Sequence, residues 1–224
     1  MKIAIIVPVL NEAASWPPIE ARLRALVTLP DVTVLVVDGG SRDGTAEMAA
    51  HGGCTVLHSE RGRARQMNTG AAGCTGDVLL FLHADTSLPP DWLQAVRSSL
   101  QRDTCWGRFD VTIAGHSPML RVVATLMNWR SRLSGIATGD QAMFMTRAAF
   151  DMVGGFPDQR LMEDIEISKR LLKVSRPACL RTRVTTSGRR WDTHGLWRTI
   201  FLMWRLRFAY WRGRSPAELA QAYR

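Results

Sequence analysis

Four apolar runs rich in Val, Ile and Leu, each followed by a segment with helical periodicity, occupy the first half of the 224-residue chain. The runs read KIAIIVPVL, VTVLVVDGG, CTVLHS and DVLLFLHAD. Strands that are apolar at successive positions, rather than at alternate ones, are typical of a parallel sheet covered by helices on both faces. The sequence therefore predicts an α/β fold whose first half is a doubly wound, Rossmann-like layer.

The pattern changes after Gln101. WGRFDVTIAG alternates as an antiparallel strand does, and further helical patterns and one short strand, QAMFMT, follow it. No segment rich in Pro, Gly or Ser marks a linker between domains. We expect one domain over residues 1–191 with a mixed, mainly parallel sheet, formed by halves 1–101 and 102–191. An amphipathic helical extension over 192–224 would follow.

Polar side chains collect where the predicted strands end. In chain order they are Asn11, Glu12, Asp38, Arg61, His83 and Asp85. Ligands of parallel sheets bind beyond the carboxyl ends of the strands, so these residues predict a binding site. A structural role is the alternative for each of them. Asp38 and the glycines that follow it suit a tight turn, and Asp85 suits a solvated strand end or a helix cap.

Two acidic motifs have a catalytic interpretation. If the fourth strand extends through Asp85, the side chains of His83 and Asp85 lie on the same side of the pleat. A divalent cation could use Asp85 as an oxygen ligand and take the others from substrate phosphates and water. Glu163 and Asp164, in LMEDIEIS, supply a candidate general base, although acids at a helix start are also favoured by the helix dipole alone.

Missing motifs exclude several classes of protein. The chain holds neither a GxxxxGK[ST] phosphate loop nor a GxGxxG turn, which argues against P-loop NTPases and dinucleotide enzymes. The four cysteines contain no C-x-x-C pair and predict neither a zinc site nor a disulfide framework. No uncharged apolar stretch approaches the ~18 residues of a membrane-spanning helix, and the N-terminal run resembles a strand more than a signal peptide. We therefore expect a cytoplasmic protein.

The net charge of +9 is concentrated towards the C-terminus, where nine arginines and a single acid lie between Leu180 and Arg214. The helix predicted over 196–212 carries two separate stripes. The aromatic stripe consists of Trp197, Phe201, Trp204, Phe208 and Trp211. The basic stripe consists of Arg198, Arg205 and Arg212. Such a helix either packs on the core or lies on anionic lipid at the inner face of a membrane. Nucleic acid is not an expected partner, because aromatic and basic residues do not interleave on a strand.

The order of the motifs IIVPVLNE, VVDGGSRDGT, LLFLHADT, GGFPDQRLMEDIEIS and SGRRW resembles that of family 2 glycosyltransferases with the GT-A fold, over essentially the whole chain. More narrowly, the chain is similar to the compact bacterial radical-SAM/selenodomain-associated glycosyltransferases. The resemblance implies transfer of a sugar from a nucleotide diphosphate sugar to a hydroxyl acceptor, with inversion. Halves 1–101 and 102–191 would bind the nucleotide and the acceptor.

The resemblance also implies roles for individual residues. Those that would contact the nucleotide sugar are Pro8, Asn11, Glu12, Asp38, Gly40, Arg61, His83 and Asp85. Asp85 matches the second acid of a D-x-D motif that holds Mg²⁺ or Mn²⁺ on the diphosphate. Asp164, with Glu163 beside it, matches the catalytic base. Asp140, Arg190 and Trp191 belong to the acceptor and diphosphate side.

Two departures from the family pattern change what is expected of metal binding and of polymer synthesis. His83 stands where the first acid of D-x-D is usual, so metal binding rests on one carboxylate. Ser187 replaces the Gln of the Q-x-x-R-W motif of processive members, and extrusion of a polymer is not expected. The basic aromatic helix makes a lipid-linked acceptor a hypothesis. The alternatives are a metal-dependent nucleotidyltransferase and a non-catalytic basic module that binds nucleic acid or membrane.

Overall fold

The computed structural model describes residues 1–101 and 103–223, whose strands form one eight-stranded sheet with helices on both faces. The strands are β1 (Ile3–Val9), β2 (Val32–Asp38), β3 (Thr55–His58), β4 (Val78–Phe81), β5 (Thr86–Ser87), β6 (Trp106–Ala114), β7 (Phe144–Thr146) and β8 (Ala178–Ser187). The α-helices are α1 (Trp16–Val27), α2 (Thr45–His51), α3 (Arg63–Ala72), α4 (Trp92–Ser99), α5 (Met119–Ser134), α6 (Arg147–Met152), α7 (Glu163–Leu171), α8 (Arg189–His194), α9 (Leu196–Trp211) and α10 (Pro216–Tyr223). Residue 102, where the predicted acceptor half begins, and residue 224, the last of the predicted extension, lie outside the described residues.

The sheet is mixed, as predicted, with the strand order β3-β2-β1-β4-β7-β6-β8-β5. The first four strands are parallel neighbours, and β7 runs antiparallel to both β4 and β6. The prediction that β6 is antiparallel is correct only for its contact with β7, because β6 also pairs in parallel with β8 along its length. Alternating periodicity shows that the two faces of a strand differ in polarity and does not by itself fix the direction of each neighbour.

Alternate residues of β1 are buried on opposite faces of the sheet. Ile3 and Ile5 belong to the core that α1, α4 and α5 cover. Ala4 and Ile6 belong to the core that α3, α6 and α7 cover. Both faces of the strand are therefore apolar, which explains the continuous apolar runs in the sequence.

Local signals determine where several helices begin and end. α1 has proline in its first turn, where the missing N–H costs nothing, and α5 is followed by Gly135 in the left-handed conformation with φ 72°. α7 begins with Glu163 and Asp164 and carries Lys169 and Arg170 in its last turn. This distribution of charge complements the helix dipole.

The end of β4 differs from the sequence-based expectation. The strand stops at Phe81, and Asp85 lies in a turn that the Thr86 N–H closes by donating to the His83 carbonyl oxygen at 3.0 Å. The prediction that His83 and Asp85 share one side of a continuous strand is therefore wrong. Pairing of β4 with β7 ends at Leu80, and the chain then turns away to place β5 beside β8 at the far edge of the sheet.

The C-terminal helix α9 presents different faces to the protein and to solvent. Leu206 is buried in a small apolar cluster with Met162 and Ile165 from the start of α7. The aromatic stripe lies outside that contact, and its five residues are between 61 and 76% exposed. The packing of α9 on the core is therefore confirmed for its inner face, and contact of its exposed face with lipid stays a prediction. Among the described residues, none of the helices combines the length and apolarity needed to cross a membrane.

Candidate active site

A cleft of about 700 Å³ lies beyond the carboxyl ends of β1 and β4, between the walls formed by α5 and α9. Its lining includes seven of the residues proposed from sequence. They are Pro8, Glu12, His83, Asp85, Asp140, Arg190 and Trp191. Segments more than 100 residues apart in the chain therefore meet at one edge of the sheet.

The loops after β1 and β2 are tied to each other by hydrogen bonds. The Asn11 N–H donates to Ser41 Oγ at 2.9 Å, and Asn11 Oδ1 accepts from the Arg42 N–H, also at 2.9 Å. The Glu12 N–H donates to Thr45 Oγ1 at 2.8 Å. These contacts fix Glu12 at the entrance of the cleft, whereas Asn11 itself is exposed and lies outside the cleft lining that the described residues form.

The buried Asp38 carboxylate folds onto its own turn. It accepts hydrogen bonds from the N–H groups of Gly40 at 2.9 Å and of Ser41 at 3.0 Å. Gly40 has φ 86°, a conformation that favours glycine. Asp38 and Gly40 therefore shape the loop, and their contact with a nucleotide stays a prediction.

Arg61 is exposed, and Arg63, two residues later, lies in the cleft lining.

Asp85 is held at the cleft by the backbone of its turn. Arg22 donates from Nη2 to the carbonyl oxygen of Ala84 at 2.7 Å, and so anchors the turn from α1. Nearby, burial raises the pKa of Glu12, while Arg189, with Nη2 at 3.8 Å from Glu12 Oε2, opposes that rise. Acidic and basic side chains thus alternate at this end of the cleft.

The side chains at this end fit a divalent cation that is shared with a substrate. Within the described ranges, no three His, Cys, Asp or Glu side chains form a group that could hold a metal by themselves. Mg²⁺ typically binds through one or two carboxylates together with substrate phosphates and water. Asp85 suits that arrangement, because it lines the cleft and its hydrogen bond from Thr86 Oγ1 is long, at 3.5 Å.

A chain of contacts connects His83 to the start of α7. His83 Nδ1 lies 3.2 Å from Asp140 Oδ1, and the Gly139 N–H donates to Asp164 Oδ2 at 3.1 Å. The imidazole ring packs so closely on Gly139 that a side chain there would overlap it. Glu163 and Asp164 line a small cavity that shares Pro8, Arg63 and His83 with the cleft. The candidate base therefore adjoins the cleft behind His83.

The two adjacent carboxylates of α7 have different surroundings. Glu163 is buried, and that burial, with the neighbouring charge of Asp164, raises the pKa of Glu163. Arg63 opposes this rise, with Nη1 at 3.8 Å from Glu163 Oε1. Asp164 is half-buried, and its second oxygen, Oδ1, accepts from the Ile165 N–H at 2.8 Å.

Several arginines that line the cleft are not among the site residues predicted from sequence. In the described part of the chain they are Arg63, Arg130, Arg189 and Arg207. Arg63 and Arg189 adjoin motifs visible in the sequence, but Arg130 and Arg207 lie within amphipathic helices where nothing local distinguishes them. Arg190, which was predicted, packs its guanidinium 3.7 Å from the Tyr223 ring centroid and donates to the Tyr223 carbonyl oxygen at 3.1 Å.

The family model for "Glycosyl transferase family 2" matches residues 4–154. The chain belongs to glycosyl transferase family 2. The matched segment contains β1, β2 and β4 with the polar residues that follow them, together with Asp140. It ends before α7, so family 2 membership itself gives no role to Glu163 or Asp164. Membership favours glycosyl transfer over the nucleotidyltransferase and non-catalytic alternatives.

A curated family 2 relative is the undecaprenyl-phosphate 4-deoxy-4-formamido-L-arabinose transferase of Pseudomonas fluorescens, which is 28% identical over 154 residues. The alignment covers 62% of this chain and 44% of that protein, so the chain spans less than half the length of this relative. The narrower resemblance to the radical-SAM/selenodomain-associated subgroup stays a prediction.

Solved structures establish the GT-A fold. The mannosyltransferase PcManGT from Pyrobaculum calidifontis, in complex with GDP-Man and Mn²⁺, superposes with a TM-score of 0.66 at 22% identity, over 99% of this chain and 68% of that one. The glucosyl-3-phosphoglycerate synthase of Mycobacterium tuberculosis, with Mn²⁺, UDP and glucosyl-3-phosphoglycerate, gives a TM-score of 0.59 at 14% identity, over 83% and 70% of the two chains. At these identities the likeness concerns the fold alone.

Proposed function

We propose that this family 2 protein transfers a glycosyl group from a nucleoside diphosphate sugar to a hydroxyl acceptor, with inversion at the anomeric carbon. The observation that carries the proposal is that the ends of β1 and β4 meet Asp140, Arg190 and Trp191 in one cleft. The complexes of GT-A relatives with GDP-Man or UDP and Mn²⁺ support the proposed class of donor.

The transfer step requires the nucleophile, the anomeric carbon and the leaving group in line, and a base that takes the proton of the nucleophile. The acceptor oxygen forms a bond to the anomeric carbon as the bond from that carbon to the diphosphate oxygen breaks, and the electron pair leaves with the diphosphate. Asp164 takes the acceptor proton. The Gly139 N–H bond to Asp164 Oδ2 orients the carboxylate for this role. Attack on the face opposite the leaving group produces the inversion.

The other end of the cleft supplies the donor site. Asp85 would hold Mg²⁺ or Mn²⁺ together with the diphosphate, and the bound cation would supply charge stabilisation of the leaving group. Arg189 and Arg190 add positive charge to the same cleft. Fixed positive charges that point at the negative charge developing on the diphosphate lower the barrier to departure of this leaving group.

Replacement of the proposed base tests the assignment. We expect Asp164→Asn to lower kcat by about 10²–10⁴-fold, because the acceptor proton has no carboxylate to receive it. Binding of the nucleotide should change little. Donors are first screened by thermal shift with UDP, GDP, CDP and dTDP sugars plus Mn²⁺, and turnover is then measured with the donor that binds. Asp151→Asn, an exposed change outside the cleft, is the matched control. Near-wild-type turnover of Asp164→Asn would refute the role of the base.

We also infer peripheral contact with an anionic membrane. The lipid surface consists of the aromatic stripe of α9 and an apolar stripe on α5, whose members are Val122, Leu126, Trp129 and Leu133. These α5 side chains are 46 to 68% exposed. Exposed apolar residues aligned on two helices are unusual for a surface that faces only water. The exposed Arg198, Arg205 and Arg212 complement anionic headgroups.

Vesicle flotation tests this contact. Wild-type protein should float with vesicles that contain phosphatidylglycerol and much less with phosphatidylcholine alone. Joint replacement of Arg198, Arg205 and Arg212 by Gln should weaken binding on the order of 100-fold, since each basic residue near an anionic surface contributes about 1 kcal/mol. Replacement of Arg160, Arg181 and Arg183, three exposed arginines outside the lipid surface, removes the same charge as a control. An equal loss in both triple variants would argue for net charge alone.

A lipid-linked acceptor would join the two proposals. The relative that acts on undecaprenyl phosphate, by its name, supports an acceptor of this class. The lipid surface and the cleft share Leu126 and Trp204, which line the cleft while exposed to solvent. We therefore place the protein in the cytoplasm, at the inner face of the membrane, when it meets its acceptor.

A further inference from the structure

Two arginines face the cleft from opposite walls, Arg130 from α5 and Arg207 from α9. Arg130 Nε and Nη2 and Arg207 Nε are inaccessible to water and have no hydrogen-bond partner among the described residues. Guanidinium nitrogens that are removed from water without a partner destabilise a protein. An anionic ligand bound between these two helices would give the arginine nitrogens hydrogen-bond partners.

The electrostatics of the pair agree with this geometry. Burial, followed by the positive charge of Arg207, lowers the pKa of Arg130 to about 10. Burial likewise lowers the pKa of Arg207. Two like charges held near each other in a partly enclosed cleft are stabilised by an anionic group that both can contact.

The position of the pair separates it from the donor site. Arg207 lies in the electrostatic field of Asp140 and Asp164, and Arg130 in that of Asp164. Asp85, by contrast, interacts with Glu12 and Arg22 at the other end of the cleft. The arginine pair is therefore on the side where the proposed base meets the acceptor.

The surroundings of the pair are apolar. Val123, Leu126 and Met127 on α5 face Ile200, Met203 and Trp204 on α9 across the cleft. Leu126 and Trp204 also belong to the lipid surface, so the apolar walls continue from the arginines to the exposed stripes. A hydrocarbon chain that starts near the arginines could leave the cleft along these walls and enter a bilayer.

We propose that Arg130 and Arg207 bind the phosphate of an amphipathic acceptor whose apolar chain passes between α5 and α9, while a separate hydroxyl of the same acceptor attacks the sugar and gives its proton to Asp164. The inference rests on the proposed function and names the acceptor class of the same site. A phosphate offers oxygens to both guanidinium groups, which bind such anions through parallel N–H bonds. The donor would occupy the Asp85 end, leaving the arginine pair to the acceptor.

Direct binding to the full chain tests this inference without requiring turnover. The probes are farnesyl phosphate below its critical micelle concentration, farnesol, inorganic phosphate and the nucleoside diphosphate identified in the donor screen. We expect farnesyl phosphate to bind more tightly than farnesol or inorganic phosphate, because it has both the anion and the chain. Arg130→Gln and Arg207→Gln should each weaken farnesyl phosphate binding about tenfold or more, since each removes charge-assisted hydrogen bonds. Nucleotide binding should stay within about twofold.

Arg121→Gln, an exposed change on α5 outside the cleft lining, is the matched control and should leave farnesyl phosphate binding unchanged. Arg130→Lys keeps a positive charge and should retain part of the affinity, which guards against misreading a folding defect. Equal binding of farnesyl phosphate and inorganic phosphate would overturn the lipid assignment in favour of a free-phosphate site. A parallel loss of nucleotide binding in both Gln variants would assign the pair to the donor and also overturn it. Arginine-dependent farnesyl phosphate binding by a protein that transfers no sugar would support the inference while the proposed function fails.

Discussion

At the residue scale, Glu163 and Asp164 show how neighbouring carboxylates acquire different properties. Both follow Met162, which adopts a left-handed conformation with φ 66°, and both lie in the first turn of α7. Glu163 points into a buried region near Arg63, whereas Asp164 binds the Gly139 N–H beside the cleft. The sequence motif places two acids together, but only their surroundings suit one for proton transfer and the other for an internal position.

The raised pKa of Glu163 predicts a pH-dependent cost of folding. Its ionisation is easier in the unfolded chain than in the folded one, so the folded protein loses stability as pH rises from the ordinary glutamate value through the higher folded value. Glu163→Gln removes this loss. We expect the Tm of the variant to match that of wild type near pH 4 and to exceed it at pH 7–8, by about 2–4 °C for each kcal/mol of ionisation cost removed.

Differential scanning fluorimetry across this pH range measures the effect. Glu218→Gln provides the control, because Glu218 is also an acid in the first turn of a helix but is exposed. Its Tm should follow that of wild type at every pH. A constant offset between Glu163→Gln and wild type over the whole range would show that burial of the charge is not the cause.

At the element scale, α9 combines a structural face with a face available for binding. Leu206, 1% exposed, packs on the start of α7, and the Tyr210 hydroxyl donates to Glu166 Oε2 at 3.3 Å. On the same helix, Phe201 and Phe208 face solvent. The inner face thus holds the helix in position while Arg207 reaches into the cleft and Phe201 and Phe208 stay outside it.

Mutations on the two faces of α9 should have different effects on stability and on vesicle binding. Leu206→Ala leaves a cavity in a buried cluster and should lower the free energy of unfolding by about 2–5 kcal/mol, with any loss of vesicle binding secondary to that. Phe201→Ala should change the free energy of unfolding by less than about 0.5 kcal/mol and yet reduce flotation with anionic vesicles. Urea denaturation and flotation measure the two quantities. Comparable destabilisation by both variants would mean that the aromatic face is also part of the core.

The elements that sequence predicts well are those with local signals. The helix predicted over 196–212 agrees with α9, and the helical segment predicted after the third apolar run corresponds to α3, because periodicity and turn residues define both locally. β5 has only two residues and exists because β8 lies beside it. β8 carries Arg181 and Arg183 on exposed positions, so its sequence resembles a basic segment more than a strand.

The candidate site divides in the same way. Glu12 and Asp85, which lie within motifs, and Asp140, which the family resemblance implied, are predicted to lie at the site and line the cleft. Arg130 and Arg207 could not be selected from sequence, because the direction in which a helix residue points depends on how that helix packs. The same holds for Arg22, whose bond to the Ala84 carbonyl oxygen spans 62 positions in sequence.

At the scale of the whole molecule, the two predicted halves are interleaved. β4 from the first half pairs with β7 from the second, and β5 crosses to the outer edge of the sheet to pair with β8. The buried hydroxyls of Thr86 and Thr186, which lie in different halves, are hydrogen-bonded at 3.0 Å. The predicted boundary at residues 101 and 102 therefore does not divide the sheet.

This interleaving predicts that the halves unfold together. A fragment of residues 1–101 would leave the edges of β4 and β5 unpaired and the apolar face of β4 uncovered by later elements, so we expect it to lack a cooperative transition. The intact chain should show one transition in calorimetry, with equal calorimetric and van't Hoff enthalpies. Addition of the bound nucleoside diphosphate should raise the Tm of that single transition, because the ligand binds only the folded state. If the nucleotide instead shifted one of two resolved transitions and left the other in place, the halves would be separate folding units and the sheet would not couple donor and acceptor sites.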